Sequence, residues 1–258
     1  MKENFKRVKL LDTIRGVCII LMIIYHSCFC IINFGFFEEV DWLYKAFEFF
    51  NTDYYTVIWL ITLCCFFMIA GITSKFSRNN FKRSLIIICT ALIISIVTIM
   101  LSEDLAIYFG VLHCMGFCML IYAIIEKFFF KLSEKINFVL MFSLFFICYF
   151  LIEVYFIRII KIIPITPVKL FDVEIPLYIL GFYSTTFYSA DYYPIIPWIF
   201  MFFAGVAFGQ ILREGNAPKF MYEAQIKPLS FIGRHPLIIY ASHLPVIILI
   251  LFILNMIL

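Results

Sequence analysis

Four histidines, His26, His113, His235 and His243, are the side chains best suited to proton chemistry at neutral pH. An imidazole with an unperturbed pKa near 6.5 can accept a proton, return it, or carry an acyl group. Their setting matters as much as their number. On a helix turning about 100° per residue, Arg15 and His26 differ by only about 20°, and Asp12 lies about 40° off the same line. Asp12, Arg15, Met22 and His26 therefore share one stripe. The rise from Arg15 to His26 is about 16 Å. That layout suits an anionic ligand anchored at Arg15 whose reactive end reaches His26. A local Asp12–Arg15 pair at i, i+3 is the plainer use of the same residues. The chain has no Walker A sequence, no Gly-rich dinucleotide turn and no Gly-x-Ser-x-Gly. Its nine cysteines sit in apolar runs without zinc-type spacing, so packing is expected for them and no metal.

The elements holding these residues must cross a membrane. The chain is 64% hydrophobic, 20% aromatic and 14% charged. A soluble domain is about 45–50% apolar and about 25% charged. These figures exclude a water-soluble enzyme, a disordered chain and a disulfide scaffold, and nothing in them suggests nucleic-acid binding. Seven stretches are long enough to cross the hydrocarbon core: about 17–34, 55–73, 84–101, 106–127, 137–157, 194–212 and 236–257. The expected fold is an all-α, polytopic transmembrane bundle forming a single domain over 1–258. The run from Val17 is too long for a signal-peptide core and is expected to stay as the first span. Pro176–Phe187 is apolar but short, and an eighth span there would spoil the charge pattern.

That pattern is asymmetric. With seven spans, every Lys and Arg except Lys45, Arg158, Lys161 and Lys169 falls on one side. Basic residues mark the cytoplasmic side, so the N-terminus is expected inside and Leu258 outside. His26 then sits at mid-depth in the first span, and His113 about two turns into the fourth from outside. His243 lies about two turns into the last span, with His235 at that span's cytoplasmic mouth. Glu153 is a carboxylate placed within a span. Such groups mark a polar cavity, or make hydrogen bonds between helices.

Four segments carry a resemblance. Arg7-Val-Lys-Leu-Leu-Asp12-Thr-Ile-Arg15-Gly16, followed by an apolar run and Tyr25-His26-Ser27, resembles the opening of the heparan-α-glucosaminide N-acetyltransferase catalytic-domain family. Tyr108-Phe-Gly-Val-Leu-His113-Cys-Met-Gly116, Asp191-Tyr-Tyr-Pro-Ile-Ile-Pro-Trp198 and Phe231-Ile-Gly-Arg-His235-Pro-Leu-Ile-Ile-Tyr240-Ala-Ser-His243 continue it in order. The resemblance implies a multispan enzyme moving acetyl from cytosolic acetyl-CoA to a sugar beyond the membrane. His26 resembles the histidine used by related acyltransferases that decorate bacterial surface polysaccharides. The animal lysosomal enzymes instead carry Asn at this position and a catalytic histidine further along.

The residues suit that chemistry. Acyl transfer from a thioester needs a base or a nucleophile, which makes His26 the first candidate. An oxyanion donor is also needed, and His113, His243 or Tyr240 can supply it. Arg15, Arg78, Arg83 and Arg234, with Lys82, are candidates for the CoA phosphates. The expected partners are acetyl-CoA, an extracytoplasmic glycan or amino-sugar acceptor, and the bilayer of the plasma membrane. Oligomeric state is not set by the sequence. A proton-coupled transporter with a His-lined cavity and Glu153 is the alternative reading.

Overall fold

In the computed structural model, the described residues are 7–33, 45, 48–129, 134–151, 169–170, 173–174, 177–182, 187–213 and 218–257. Glu153, the last part of the fifth predicted span and most of 152–176 lie outside them. Among the described residues the fold is helical, as expected, apart from turns, one isolated bridge and one two-residue antiparallel pair, Lys169–Leu170 with Val173–Glu174. The helices are α1 (Lys9–Asn33), α2 (Asp53–Lys75), α3 (Asn80–Leu101), α4 (Val111–Phe129) and α5 (Glu134–Tyr149). They continue as α6 (Ile195–Arg213), α7 (Lys219–Glu223), α8 (Lys227–Arg234) and α9 (Pro236–Ile257). Five of them, α1, α2, α3, α6 and α9, are long and apolar enough to cross a membrane, and α4 and α5 are shorter apolar helices. Each of the seven predicted stretches thus holds one of these helices among its described residues. Within Pro176–Phe187 the only described helix is the 3-10 turn Leu177–Leu180, far too short to span.

The chain divides into two compact units. The first comprises Met1–Phe66 and Ala217–Leu258. Here α1 packs against α7, α8 and α9. The approach of α8 is close because Gly16 faces the Leu229 backbone and Gly233 faces that of Asp12. A Cβ at either glycine would overlap main-chain atoms, which cannot move aside as a side-chain tip can. Pro236 then ends α8, since it offers no N–H to continue that helix, and its fixed φ suits the first turn of α9. This break places Arg234 beside Asp12 at one end of α1 and His243 beside His26 further along. Beyond the histidines, Cys30, Ile247 and Leu251 form an apolar seam with Ile23, Ile31, Leu244 and Ile248. Contacts in that order require α1 and α9 to run in the same direction.

The second unit comprises Phe67–Asn216. α6 packs on α5 and α4, and α3 on α4. Its core is aromatic, with Trp198 stacked on Phe67 at 5.0 Å and beside Phe145 at 5.3 Å. The Gly205/Gly209 pair serves close packing, since Gly205 meets the backbone of Met68. α3 buries Asn80, Ser84, Ala91 and Ser95, while Leu92, Ile93, Ile96 and Val97 are exposed. Small and polar inside with large and apolar outside is the pattern of a helix facing lipid.

One predicted boundary is corrected. The fourth stretch was expected to be helical from 106, yet α4 begins at Val111. Residues 106–110 are instead held to a neighbouring strand-like segment. Ala190 N–H donates to Ala106 O and Tyr193 N–H to Phe109 O, each at 3.0 Å. Phe109 and Tyr192 form a parallel bridge. His113 therefore stands in the first turn of its helix rather than two turns inside it.

Candidate active site

In the first unit, polar groups mark two levels of α1. At its start, the buried Asp12 carboxylate is a hub for three arginines. Arg7 Nε lies 2.7 Å from Oδ2, Arg234 Nε 3.7 Å from Oδ2, and Arg15 Nη1 4.0 Å from Oδ1. A carboxylate in such a place needs a charged partner to offset its lost hydration. Three guanidiniums on one carboxylate leave the cluster with net positive charge. Arg15 also donates to Gly233 O at 3.1 Å, which ties α1 to α8, as does Ile226 N–H to Thr13 Oγ1 at 3.3 Å. The side chains of Arg7 and Arg234 are 60% and 39% exposed, against 13% for Arg15. Arg7 and Arg234 can therefore meet a solvent-borne anion, while Arg15 holds the frame.

At the second level stand His26 and His243, with ring centroids 4.9 Å apart in an edge-on arrangement. Nδ1 of His26 lies 2.9 Å from Met22 O, and Nδ1 of His243 lies 2.6 Å from Tyr240 O. A carbonyl oxygen only accepts, so each neutral ring carries its proton on Nδ1 and its lone pair on Nε2. Among the described residues, nothing hydrogen-bonds Nε2 of His243, which is buried. A buried polar atom without a partner costs stability and calls for an explanation in function or in a missing ligand. Aromatic rings flank the pair: Tyr25 at 5.3 Å from His26 and Tyr240 at 5.4 Å from His243. Tyr25 in turn packs on Tyr55 and Trp59. His235 is exposed and bonds Phe231 O at the end of α8.

His113 lies in the second unit and is held differently. The Gly110 N–H lies 3.3 Å from its Nδ1, which must therefore accept. Its proton is then on Nε2, where Ser95 Oγ at 3.3 Å accepts it. Asp191 completes this corner, its Oδ2 accepting the Val111 N–H at 3.0 Å in the first turn of α4. Arg78 and Arg83 also belong to the second unit, around the start of α3. There Asn79 caps the helix through Lys82 N–H at 2.8 Å, and Arg83 Nη1 reaches Thr73 O at 3.5 Å. Arg78 is exposed. The structure thus brings His26 to His243 and Arg15 to Arg234. It holds His113, Arg78 and Arg83 in the other unit.

Sequence reasoning missed Arg7 as a member of the hub, because it precedes α1 and no helical spacing links it to Asp12. The Ser95–His113 contact was also missed. The one available signal was a buried-face serine on a lipid-facing helix.

A family model described as heparan-alpha-glucosaminide N-acetyltransferase, catalytic, matches residues 7–245. The match runs from the first arginine of the hub to just beyond His243. No curated protein and no solved structure matches the chain.

Proposed function

The chain belongs to the heparan-alpha-glucosaminide N-acetyltransferase catalytic family, and from that membership we propose how this membrane acetyltransferase works. It takes acetyl from acetyl-CoA on the cytoplasmic side and passes it to the amine or hydroxyl of a sugar on the other side of the plasma membrane. The observation that carries this reading is the pair of imidazoles, His26 and His243, set along α1 from a cluster of three arginines. Fourteen residues of helix separate Asp12 from His26, a rise of about 21 Å. That is comparable to the reach of an extended phosphopantetheine arm.

In this reading Arg7 and Arg234 hold phosphate oxygens at the aqueous end, with Arg15 and Asp12 fixing their positions. The thioester lies beside His26, whose Nε2 lone pair takes the acceptor's proton as the new bond to the acetyl carbon forms. The apolar seam of Cys30, Ile247 and Leu251 keeps water from competing with the acceptor. Arg78 and Arg83 are the competing phosphate-binding group, at a helix N-terminus where the dipole favours anions. His113 is a support for the first turn of α4.

The parallel run of α1 and α9 supports an odd number of crossings between and including them, consistent with seven. A compartment-sensitive reporter fused after Leu258 should signal outside the cell; a cytoplasmic signal would overturn the topology. The function itself is tested with purified protein in lipid nanodiscs, radiolabelled acetyl-CoA and a panel of amino sugars and neutral sugars. Label should pass to at least one acceptor, and failure with every acceptor while acetyl-CoA does not bind would overturn the reading.

A further inference from the structure

We propose that α7 and α8 form a lipid-binding surface, whose outward face lies in the headgroup layer at the N-terminal end of α1 and takes anionic phospholipid. The proposal stands apart from the acetyltransferase reading and uses the first unit alone. On α8 the small residues turn inward and the large one turns outward. Ser230 and Gly233 are its buried residues, and Gly233 meets the backbone of Asp12. Phe231 is 65% exposed, and Lys227 and Arg234, four residues before it and three after, are exposed on the same face. Ile226, just ahead of α8, and Phe220 of α7 are likewise 57% and 60% exposed. α8 cannot roll to hide Phe231. Arg15 Nη1 donates to Gly233 O and Ile226 N–H to Thr13 Oγ1, and with the glycine contact these fix its rotation on α1.

Its level along α1 decides what covers that face. The contacts of α8 fall on Asp12, Thr13, Arg15 and Gly16, immediately before the apolar run that begins at Val17. From Asp12 to Val17 the helix rises about 8 Å. The polar layer outside the hydrocarbon core is itself about 5–8 Å thick on each side. If the apolar run marks the core, α8 lies at headgroup depth. The chain then enters the core directly, since α9 starts at Pro236 and its Ile238 is 69% exposed on an apolar helix. An interfacial helix buries its apolar face about 5–10 Å into the boundary between headgroups and acyl chains. Phe231 and Ile226 are placed to do this.

Charge selects the lipid. From Pro218 to Ile257 the one carboxylate is Glu223, against Lys219, Lys227 and Arg234. Lys9, at the start of α1, is exposed as well. Arg234 reaches back to Asp12, which leaves Lys219 and Lys227 for an outside anion. A lysine carries its ammonium on a long apolar stem, so the stem can lie along acyl chains while the head meets a phosphate. Basic residues close to a membrane surface favour anionic over zwitterionic lipid. A free phosphate would satisfy the lysines but leave Phe220, Ile226 and Phe231 in water. Phospholipid answers both halves of the face.

Photo-crosslinking of the full-length protein tests this without any enzyme assay. Phe231 and Phe220 are replaced, one at a time, by the photoreactive benzoylphenylalanine, and Ile93 on the exposed face of α3 is replaced as a positive control. Each protein is placed in nanodiscs of equal parts phosphatidylglycerol and phosphatidylcholine, with no other protein present, and irradiated. Mass spectrometry should find lipid adducts at 231 and 220 as well as at 93. Phosphatidylglycerol should be enriched at least ~3-fold over its bulk share at 231 and 220. Adding Lys219→Gln and Lys227→Gln should return that share to the bulk value while adducts persist. Adducts at 93 with none at 231 and 220 would overturn the proposal and leave the face to a protein partner. Adducts that follow bulk composition while both lysines are present would overturn the anionic assignment.

Discussion

His243 and His113 are the same residue type in similar apolar surroundings, both buried and both near the start of an apolar helix. They differ in which nitrogen the main chain occupies. At His243 a carbonyl of its own helix takes the Nδ1 proton, and the lone pair is left on a buried Nε2 without a partner. At His113 a backbone N–H takes the Nδ1 lone pair, and the Nε2 proton goes to Ser95. Both nitrogens of His113 are thereby used, and the ring joins α3, the 106–110 segment and α4. Burial alone does not separate a reactive imidazole from a structural one. The accounting of donors and acceptors does, because a satisfied ring has nothing to offer a substrate, whereas an unsatisfied one has been kept at a cost.

The largest expected effect would break this comparison outright if it failed. His26→Asn should cut acetyl transfer by at least ~100-fold while leaving the bundle folded, whereas His113→Asn should leave turnover per folded molecule nearly unchanged. Turnover and thermal stability measured on one preparation of each variant decide the matter. Equal losses of turnover at the two positions would mean that tautomer and partner count do not distinguish the sites.

Next in size is Asp12→Asn, which removes the one negative charge from a hub of three arginines. Breaking a fully buried ion pair costs about 3–5 kcal/mol. Because Arg7 and Arg234 are partly solvated, about 2 kcal/mol is expected here. A fall in the unfolding midpoint, partly recovered by adding Arg7→Gln, would confirm that charge imbalance is the cause. An unchanged midpoint would mean that the α1–α8 contact rests on the glycines alone. His113→Asn comes below this, at about 1 kcal/mol, since Asn keeps an acceptor for Gly110 N–H and gives up only the Ser95 bond.

The contrast between the two histidines also marks where sequence reading stops. Helical period placed Asp12, Arg15 and His26 on one face of α1 because all three lie on one continuous element. Hydropathy located the helices because apolar runs of that length have few alternatives. It failed at 106–110, where the residues are as apolar as a helix start but pair with 190–193 instead. Hydropathy reports burial and not backbone conformation. The meeting of His26 with His243, more than two hundred residues away, depends on glycine-mediated packing of α8 on α1 and on the break at Pro236. No local pattern encodes it. Nor can a sequence tell which ring nitrogen finds a carbonyl.

The smallest effect sharpens the comparison between the two basic clusters, one in each unit. Arg234 is part of the Asp12 hub, and Arg78 stands at the start of α3. If the hub holds the CoA phosphates, Arg234→Gln should weaken acetyl-CoA binding by roughly three- to tenfold, as expected for one partly solvated charge-assisted contact. Arg78→Gln should do much less. The hub should survive the change, because Asp12 keeps Arg7 and Arg15. The loss should shrink as salt rises, since the Debye length falls from about 10 Å at 0.1 M to about 3 Å at 1 M. Titration calorimetry of both variants at two salt concentrations reads all of this. Weakened binding in Arg78→Gln with none in Arg234→Gln would move the phosphates to the second unit. The three arginines around Asp12 would then be a device for joining α8 to α1 and no more.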